Sequence, residues 1–308
     1  MRVLICGAGA LGSGIGGMLR TGGHDVDLLG FGEHVRAVSS GGLDMEGLWG
    51  ERHLDGMTAT EDPKSLLQPE WIVLSTKSCD TEAALEGIQH LLPGCRGVFC
   101  PQNGLGNEER IAEKVGWEKT LGGMVIIGFE VVRPGRVRVT VEADSVKVGR
   151  MKGSVDSLVK EFVHLLKESG VPVEAVDSVE RYKWAKLLYN AALNPLGALL
   201  RVPYGCLLSE PSWAVIEEVV RETYSVLGSL GMSTLWPDAQ TYLDHLKSNQ
   251  IPATAEHRAS MLQDIEAGRK TEIDALNGVI VAKGEAAGIC TPVNQTLVRL
   301  IQALESAD

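Results

Sequence analysis

Long apolar runs are missing from this sequence: no segment reaches the roughly 18 residues that a membrane-spanning helix needs. Basic runs are missing too. Lysines and arginines number 29 against 40 aspartates and glutamates, a formal net charge of −11. Such a chain is a poor partner for nucleic acid or an anionic membrane surface. The six cysteines, Cys6, Cys79, Cys95, Cys100, Cys206 and Cys290, form no CxxC pair, and the seven histidines show no HExxH spacing. Neither a disulfide framework nor a metal site is expected. Met1-Arg2 runs straight into Val3-Leu4-Ile5, without a basic n-region or a small-residue cleavage site. That predicts no signal peptide and a reduced, cytoplasmic setting. Internal repeats and low-complexity tracts are absent as well.

What the chain does contain is 308 residues, 44% of them hydrophobic and 22% charged, enough for about two globular domains. Short apolar runs at Arg2–Cys6, Asp25–Leu29, Trp71–Ser75 and Gly97–Cys100 read as buried strands. Helical patterns at Leu11–Thr21 and Thr81–Leu92 lie between them, the second stopped by Pro93-Gly94. This rhythm predicts an α/β fold, a Rossmann-type doubly wound parallel sheet covered by helices. Thr120–Val132 and Val137–Val148 read as two longer strands around a Pro134-Gly135 turn. Val155–Glu168 is amphipathic and Val171–Ala175 fits an edge strand. Beyond that the chain reads as an all-helical C-terminal domain, with helices at Arg181–Leu200, Ser212–Leu230, Trp236–Ser248, Ala255–Ala267 and Ile273–Ala287. The expected division is 1–176 for a dinucleotide-binding domain and 177–308 for a helical substrate or dimerisation domain.

Gly7-Ala8-Gly9-Ala10-Leu11-Gly12 is a G-x-G-x-x-G placed directly after the first strand and directly before a helix. That context separates a dinucleotide fingerprint from a chance glycine cluster. The first glycine permits the sharp turn, the second lets backbone reach a pyrophosphate, and the third lets helix and strand pack closely. The helix start then offers N–H donors and the positive end of a dipole to the phosphates. An acid at the end of the second strand would select a ribose 2′-OH, and an arginine a 2′-phosphate. The chain reads Leu29-Gly30-Phe31-Gly32-Glu33 there, with neither residue type at Gly30 or Phe31. Glu33 has suitable spacing but reads as a solvated loop carboxylate.

In the second half, Lys186, Asn190 and Asn194 recur at i, i+4 and i+8, so they span only about 80° of one helix face. Their helix is otherwise apolar and small-residued, and buried Lys and Asn need partners. Two amides and an ammonium in line suit a small carboxylate or carbonyl, although a structural polar ladder would look the same. Ser260 and Glu272 flank a break at Gly268-Arg269-Lys270-Thr271. Unbroken helix would set them about 18 Å apart, whereas a break would let both face one site. Glu272 alone could equally be a helix-start carboxylate. Gln102-Asn103-Gly104 follows a strand at the carboxyl edge of the sheet, where such folds bind ligands.

Taken together, the glycine loop, Gln102-Asn103-Gly104, the Lys186/Asn190/Asn194-Pro195 helix, and Ser260-Met261 with Gly268-Arg269-x-Thr271-Glu272-Ile273-Asp274 resemble the ketopantoate reductase (2-dehydropantoate 2-reductase) family over almost the whole chain. The resemblance implies hydride transfer from NADPH to a small 2-keto acid, ketopantoate becoming pantoate in pantothenate biosynthesis, in a cleft between the two domains. It implies Lys186 as proton donor, assisted by Glu272. Substrate would be held by Asn103, Lys186, Asn190, Asn194 and Ser260. Cofactor would be held by Gly7, Ala8, Gly9, Ala10, Leu11, Gly12, Phe31, Lys77, Asn103 and Glu272. Many family members carry arginine at the place of Phe31 and glutamine at that of Asp80, so NAD(H) stays open beside NADP(H). Tyr204 stands where some members have asparagine, and Gly197 where many have threonine. The resemblance leaves a homodimer open. A reductase of another small 2-keto acid, or a non-catalytic dinucleotide sensor, are the competing readings, although a sensor has no need of a proton donor.

Overall fold

The computed structural model describes residues 1–306. They form two compact units, one of Met1–Gln102 with Asn107–Glu180, the other of Asn103–Gly106 with the chain from Arg181 onward.

Twelve strands lie in the first unit: β1 Arg2–Cys6, β2 Asp25–Leu29, β3 Leu43–Gly47, β4 Arg52–Leu54, β5 Thr58–Thr60, β6 Trp71–Leu74, β7 Gly97–Cys100, β8 Thr120–Met124, β9 Ile127–Arg133, β10 Arg136–Glu142, β11 Val146–Gly149 and β12 Val173–Ala175. Eight make the main sheet, in the order β12-β11-β8-β7-β6-β1-β2-β5. It is a mostly parallel, Rossmann-type sheet with one antiparallel pair, β8 with β11, so that β11 and β12 run opposite to the other six strands. Side chains alternate across a strand, and here the alternation separates two cores. Val3 and Ile5 of β1, Val26 and Leu28 of β2, and Val73 of β6 enter one apolar cluster. Leu4 and Cys6, Leu29, and Ile72 and Leu74 enter another on the opposite face. Both faces are therefore dry, as a helix-covered parallel sheet requires.

Helices α1 Ala10–Thr21 and α5 Ser157–Glu168 cover the first face. α3 Thr81–Gly87 and α4 Asn107–Val115 cover the second, while α2 Glu33–Gly41 follows β2. Beyond Gly12 in its first turn, α1 carries Gly14, Gly16 and Gly17, which helix propensity disfavours. Packing explains them. Gly16 faces Ile5, Leu28 and Val26 of the main sheet, whereas Gly14 faces the Phe129 ring and Gly17 faces Met45. The helix is sandwiched between the main sheet and a second, four-stranded one of order β4-β3-β10-β9.

That second sheet corrects the sequence reading. The expected strand Thr120–Val132 divides into β8 and β9, and Val137–Val148 into β10 and β11, each pair split between the two sheets. The Pro134-Gly135 turn does join β9 and β10 as an antiparallel hairpin, with Gly135 at φ +79°. β3, β4 and β5 escaped notice because they are short and polar on one face. Asp44 and Glu46 of β3 pair there with Arg136 and Arg138 of β10. α3 is also shorter than expected, ending at Gly87.

The second unit contains helices only, among the described residues: α6 Glu180–Leu200, α7 Glu210–Ser229, α8 Ala239–His245, α9 Ile251–Ala253, α10 Ser260–Glu266, α11 Asn277–Ala287 and α12 Pro292–Glu305. The expected helix Trp236–Ser248 begins only at Ala239, after an Asp238 cap whose carboxylate accepts the Thr241 N–H at 2.7 Å. Ala255–Ala267 shortens to α10, and Ile273–Ala287 divides into a 3-10 turn and α11. No helix of the described chain is long and apolar enough to cross a membrane.

Candidate active site

The glycine loop connects β1 to α1. Gly7 has φ +109°, and a Cβ there would strike the Ser75–Thr76 backbone. Its N–H and that of Ala8 both donate to Leu29 O, at 2.9 and 3.0 Å, which ties the loop to the end of β2. A Cβ on Gly12 would press on Gly7 O, Ser75 and Ile5. Gly9 differs: a Cβ there would meet nothing within 4 Å. The first and third glycines are thus demanded by packing, whereas no protein atom requires the second. Gly9 is also the N-cap of α1 and supplies no side-chain cap, so the first-turn donors of Ala10, Leu11 and Gly12 face a position suited to an anion. These features fit a dinucleotide pyrophosphate.

At the ends of β2 and β5 the pattern is less expected. Phe31 extends into solvent at 81% exposure. Glu33 is exposed at the start of α2. The carboxylate that engages this turn is Glu61, directly after β5: its Oε1 accepts the Gly32 N–H at 2.9 Å and Arg36 Nη1 at 2.7 Å. Sequence reading missed Glu61 because β5 has three residues and no apolar pattern. Lys77 caps the 3-10 turn Ser78–Asp80 after β6, and Asp80 is exposed.

In the second unit, α6 is apolar over most of its length, and its Pro195 sits in the helix interior. Pro195 has no N–H to give Ala191 O. Asn277 replaces it, its Nδ2 donating to Ala191 O at 3.1 Å and to Asn294 Oδ1 at 2.9 Å. Asn294 Nδ2 in turn donates to Glu222 Oε2 at 2.7 Å, and Glu222 accepts the Val293 and Asn294 N–H groups that open α12. This buried chain ties α6, α7, α11 and α12 together around the polar stripe. It was invisible in sequence, where its members lie up to 103 residues apart by their numbers (191 to 294).

Lys186 keeps some solvent access, yet protein crowds it closely enough that burial pulls its pKa from 10.5 down to about 8; Glu272 opposes that shift and Lys183 reinforces it. Glu272 stands at the N-cap of the 3-10 turn Ile273–Ala275 without capping it through its side chain. Instead its Oε2 accepts Asn103 Nδ2 at 3.1 Å. The contact is built by the loop after β7: Gly104, at φ +77°, lies against Ala275 O where any side chain would clash, and Leu105 N–H donates to that same oxygen at 3.4 Å. Lys186, Glu272 and Asn103, from three separate segments, are therefore assembled within one unit. Asn190 is half-buried on the same helix. Asn194 is buried, and its Oδ1 accepts the Tyr204 hydroxyl at 2.6 Å. Tyr204 itself packs edge-on against Tyr189 and tilted against His257. Ser260 is exposed at the first residue of α10; Gly268, at φ +60°, breaks the chain between it and Glu272.

A mostly parallel sheet carrying an open second glycine at a helix start, joined in one chain to a helical unit with a partly buried lysine of lowered pKa, defines a dinucleotide-binding oxidoreductase of Rossmann type. Comparison with known proteins narrows the class. Residues 3–153 match the family model "Ketopantoate reductase PanE/ApbA", and 178–305 match its C-terminal counterpart. The 2-dehydropantoate 2-reductase of Aquifex aeolicus is 36% identical over 307 residues, spanning 99% of this chain and 97% of that one. The crystal structure of a PanE/ApbA family ketopantoate reductase from Ralstonia eutropha superposes with TM-score 0.89 at 30% identity, covering 100% and 99% of the two chains. A D-mandelate dehydrogenase solved with NADH and anilino(oxo)acetate also gives TM-score 0.89, at 29% identity and the same coverage. The chain belongs to the ketopantoate reductase family.

Proposed function

We propose that this protein reduces 2-dehydropantoate to pantoate with a nicotinamide dinucleotide as hydride donor. The observation that carries the reading is the Lys186–Glu272–Asn103 group: an ammonium with pKa lowered to about 8, near a carboxylate that an amide holds in place. The first unit, through Gly7–Gly12, would hold the dinucleotide, and the second would hold the oxo acid. Bound reduced nicotinamide supplies the hydride. As hydride reaches the keto carbon, negative charge builds on its oxygen. Lys186 stabilises that charge and gives up its proton, a transfer favoured by a pKa close to working pH. Glu272 keeps the ammonium charged, and Asn103 fixes Glu272. Asn190, Asn194 and Ser260 are assigned to the substrate carboxylate and hydroxyl groups.

NADPH is the assigned donor, on the strength of the family and the Lys77 cation, with weak discrimination against NADH because Phe31 offers no charge to a 2′-phosphate. Support for NADH use, and for a different 2-oxo acid, comes from the mandelate dehydrogenase relative, whose structure contains NADH and a bulky oxo-acid analogue. Steady-state reduction of 2-dehydropantoate and benzoylformate, each with NADPH and NADH, tests the assignment. A kcat/KM at least tenfold higher for 2-dehydropantoate is expected. Preference for benzoylformate would replace pantoate by a 2-hydroxy aryl acid as product.

A further inference from the structure

The dinucleotide reading leaves open what sets the balance between the two donors, and the Glu61 cluster bears on it. In a doubly wound sheet the adenosine ribose is read at the carboxyl end of the strand that follows the glycine-loop helix, here β2. β5 is the next strand in the sheet, and Gly30 N–H donates to Thr60 O at 3.2 Å, so the two strand ends are held level. A 2′-phosphate arriving there needs donors and positive charge. Two such donors belong to this turn: the Gly32 N–H at the start of α2 and the Arg36 guanidinium one turn later. Glu61 takes both, through the single oxygen Oε1. The ion pair is partly exposed, with side chains at 61% for Arg36 and 41% for Glu61, so an incoming ligand can compete for it.

Resting on the dinucleotide assignment above, we propose that Glu61 is the residue that sets how weakly this chain discriminates between the two donors: its carboxylate holds the arginine and amide that a 2′-phosphate would use, and so lowers the advantage of NADPH over NADH. The arginine absent at Phe31 is thus not absent from the site; it is supplied five residues later and neutralised from the adjacent strand. Removing the Glu61 charge frees Arg36 and also lifts a like-charge repulsion. Like charges in contact at near-water dielectric alter affinity by roughly tenfold.

E61Q is the direct test, because glutamine keeps an oxygen for the Gly32 N–H while losing the charge. Calorimetric titration of the purified protein with adenosine 2′,5′-bisphosphate and with 5′-AMP reads affinity without turnover. E61Q is expected to bind the bisphosphate about tenfold or more tightly than wild type, with 5′-AMP changed less than twofold and Tm unaltered. Adding R36M to E61Q should cancel the gain, since the freed guanidinium supplies it. An E61Q variant whose bisphosphate affinity is unchanged, or rises equally for both nucleotides, overturns the proposal, as does a gain that survives R36M. A wild-type chain that binds neither nucleotide, nor NADPH nor NADH, overturns the dinucleotide reading itself, which separates the two failures.

Discussion

Replacing Lys186 by methionine should make the protein more stable and far less active. Methionine matches the length of the lysine stem and carries no charge. A pKa of about 8 against the unfolded value of 10.5 means that the folded protein disfavours the ammonium, at about 1.4 kcal/mol per pKa unit. At pH 7 the native state therefore bears a penalty on the order of 3 kcal/mol that Lys186→Met removes. Part of that gain returns as lost packing, leaving roughly 1–3 kcal/mol, or a rise of a few degrees in Tm. The gain depends on pH in a definite direction. Below about pH 8 lysine is charged in both states and the full penalty applies. Between about 8 and 10.5 the unfolded chain holds more protons than the folded one, so wild-type stability rises with pH and the mutant's advantage shrinks. Above 10.5 it vanishes. Meanwhile kcat for oxo-acid reduction should fall by about 10²–10⁴-fold, the usual worth of a general acid. Scanning calorimetry at pH 7 and pH 11, beside steady-state rates, checks both halves. A Lys186→Met protein that is less stable than wild type at pH 7 and keeps its kcat would show that the lysine holds the fold and not the chemistry.

Three further outcomes follow from the same geometry. Gly9→Ala should leave Tm unchanged yet weaken dinucleotide binding by tenfold or more, because its methyl meets no protein atom within 4 Å; Gly12→Ala, which would press on Gly7 O, should lower Tm by several degrees, and equal Tm values for the two would refute the distinction. Tyr204→Phe strips a buried Asn194 oxygen of its donor, a loss worth about 1–3 kcal/mol; KM for the oxo acid should rise severalfold with kcat less affected, and an unchanged KM would remove Asn194 from the substrate site. The rate of reduction should fall as pH rises through about 8, where Lys186 loses its proton; a profile flat to pH 10 would assign proton donation elsewhere.

The parts of this molecule that were legible in the sequence are those where one physical constraint dominates. β1, β2 and β7 coincide with their apolar runs because both faces of the main sheet are buried, and nothing but strand suits Val-Leu-Ile-Cys there. The glycine loop was legible because its spacing is dictated by packing at Gly7 and Gly12. What failed was anything set by a distant partner. Thr120–Val132 reads as one strand, and only the second sheet, with α1 lying against it, explains the break after Met124. Gln102-Asn103-Gly104 reads as part of a ligand-binding edge, but the need for glycine at 104 comes from Ala275, far along the chain. Glu61 and Arg36 are 25 residues apart, and no local pattern joins them. Asn277 replaces the donor that Pro195 lacks from 82 residues away (195 to 277), a debt visible in the sequence whose settlement is not.

The most direct test of the central claim follows the hydride itself. The protein is incubated with 2-dehydropantoate and reduced dinucleotide carrying two deuteriums at the nicotinamide C4, and the acid product is read by mass spectrometry. The account predicts pantoate carrying one deuterium at C2 for each dinucleotide oxidised, formed at least a hundredfold more slowly by Lys186→Met. Dinucleotide oxidation without deuterated pantoate, or pantoate formed as fast by the mutant, would contradict it.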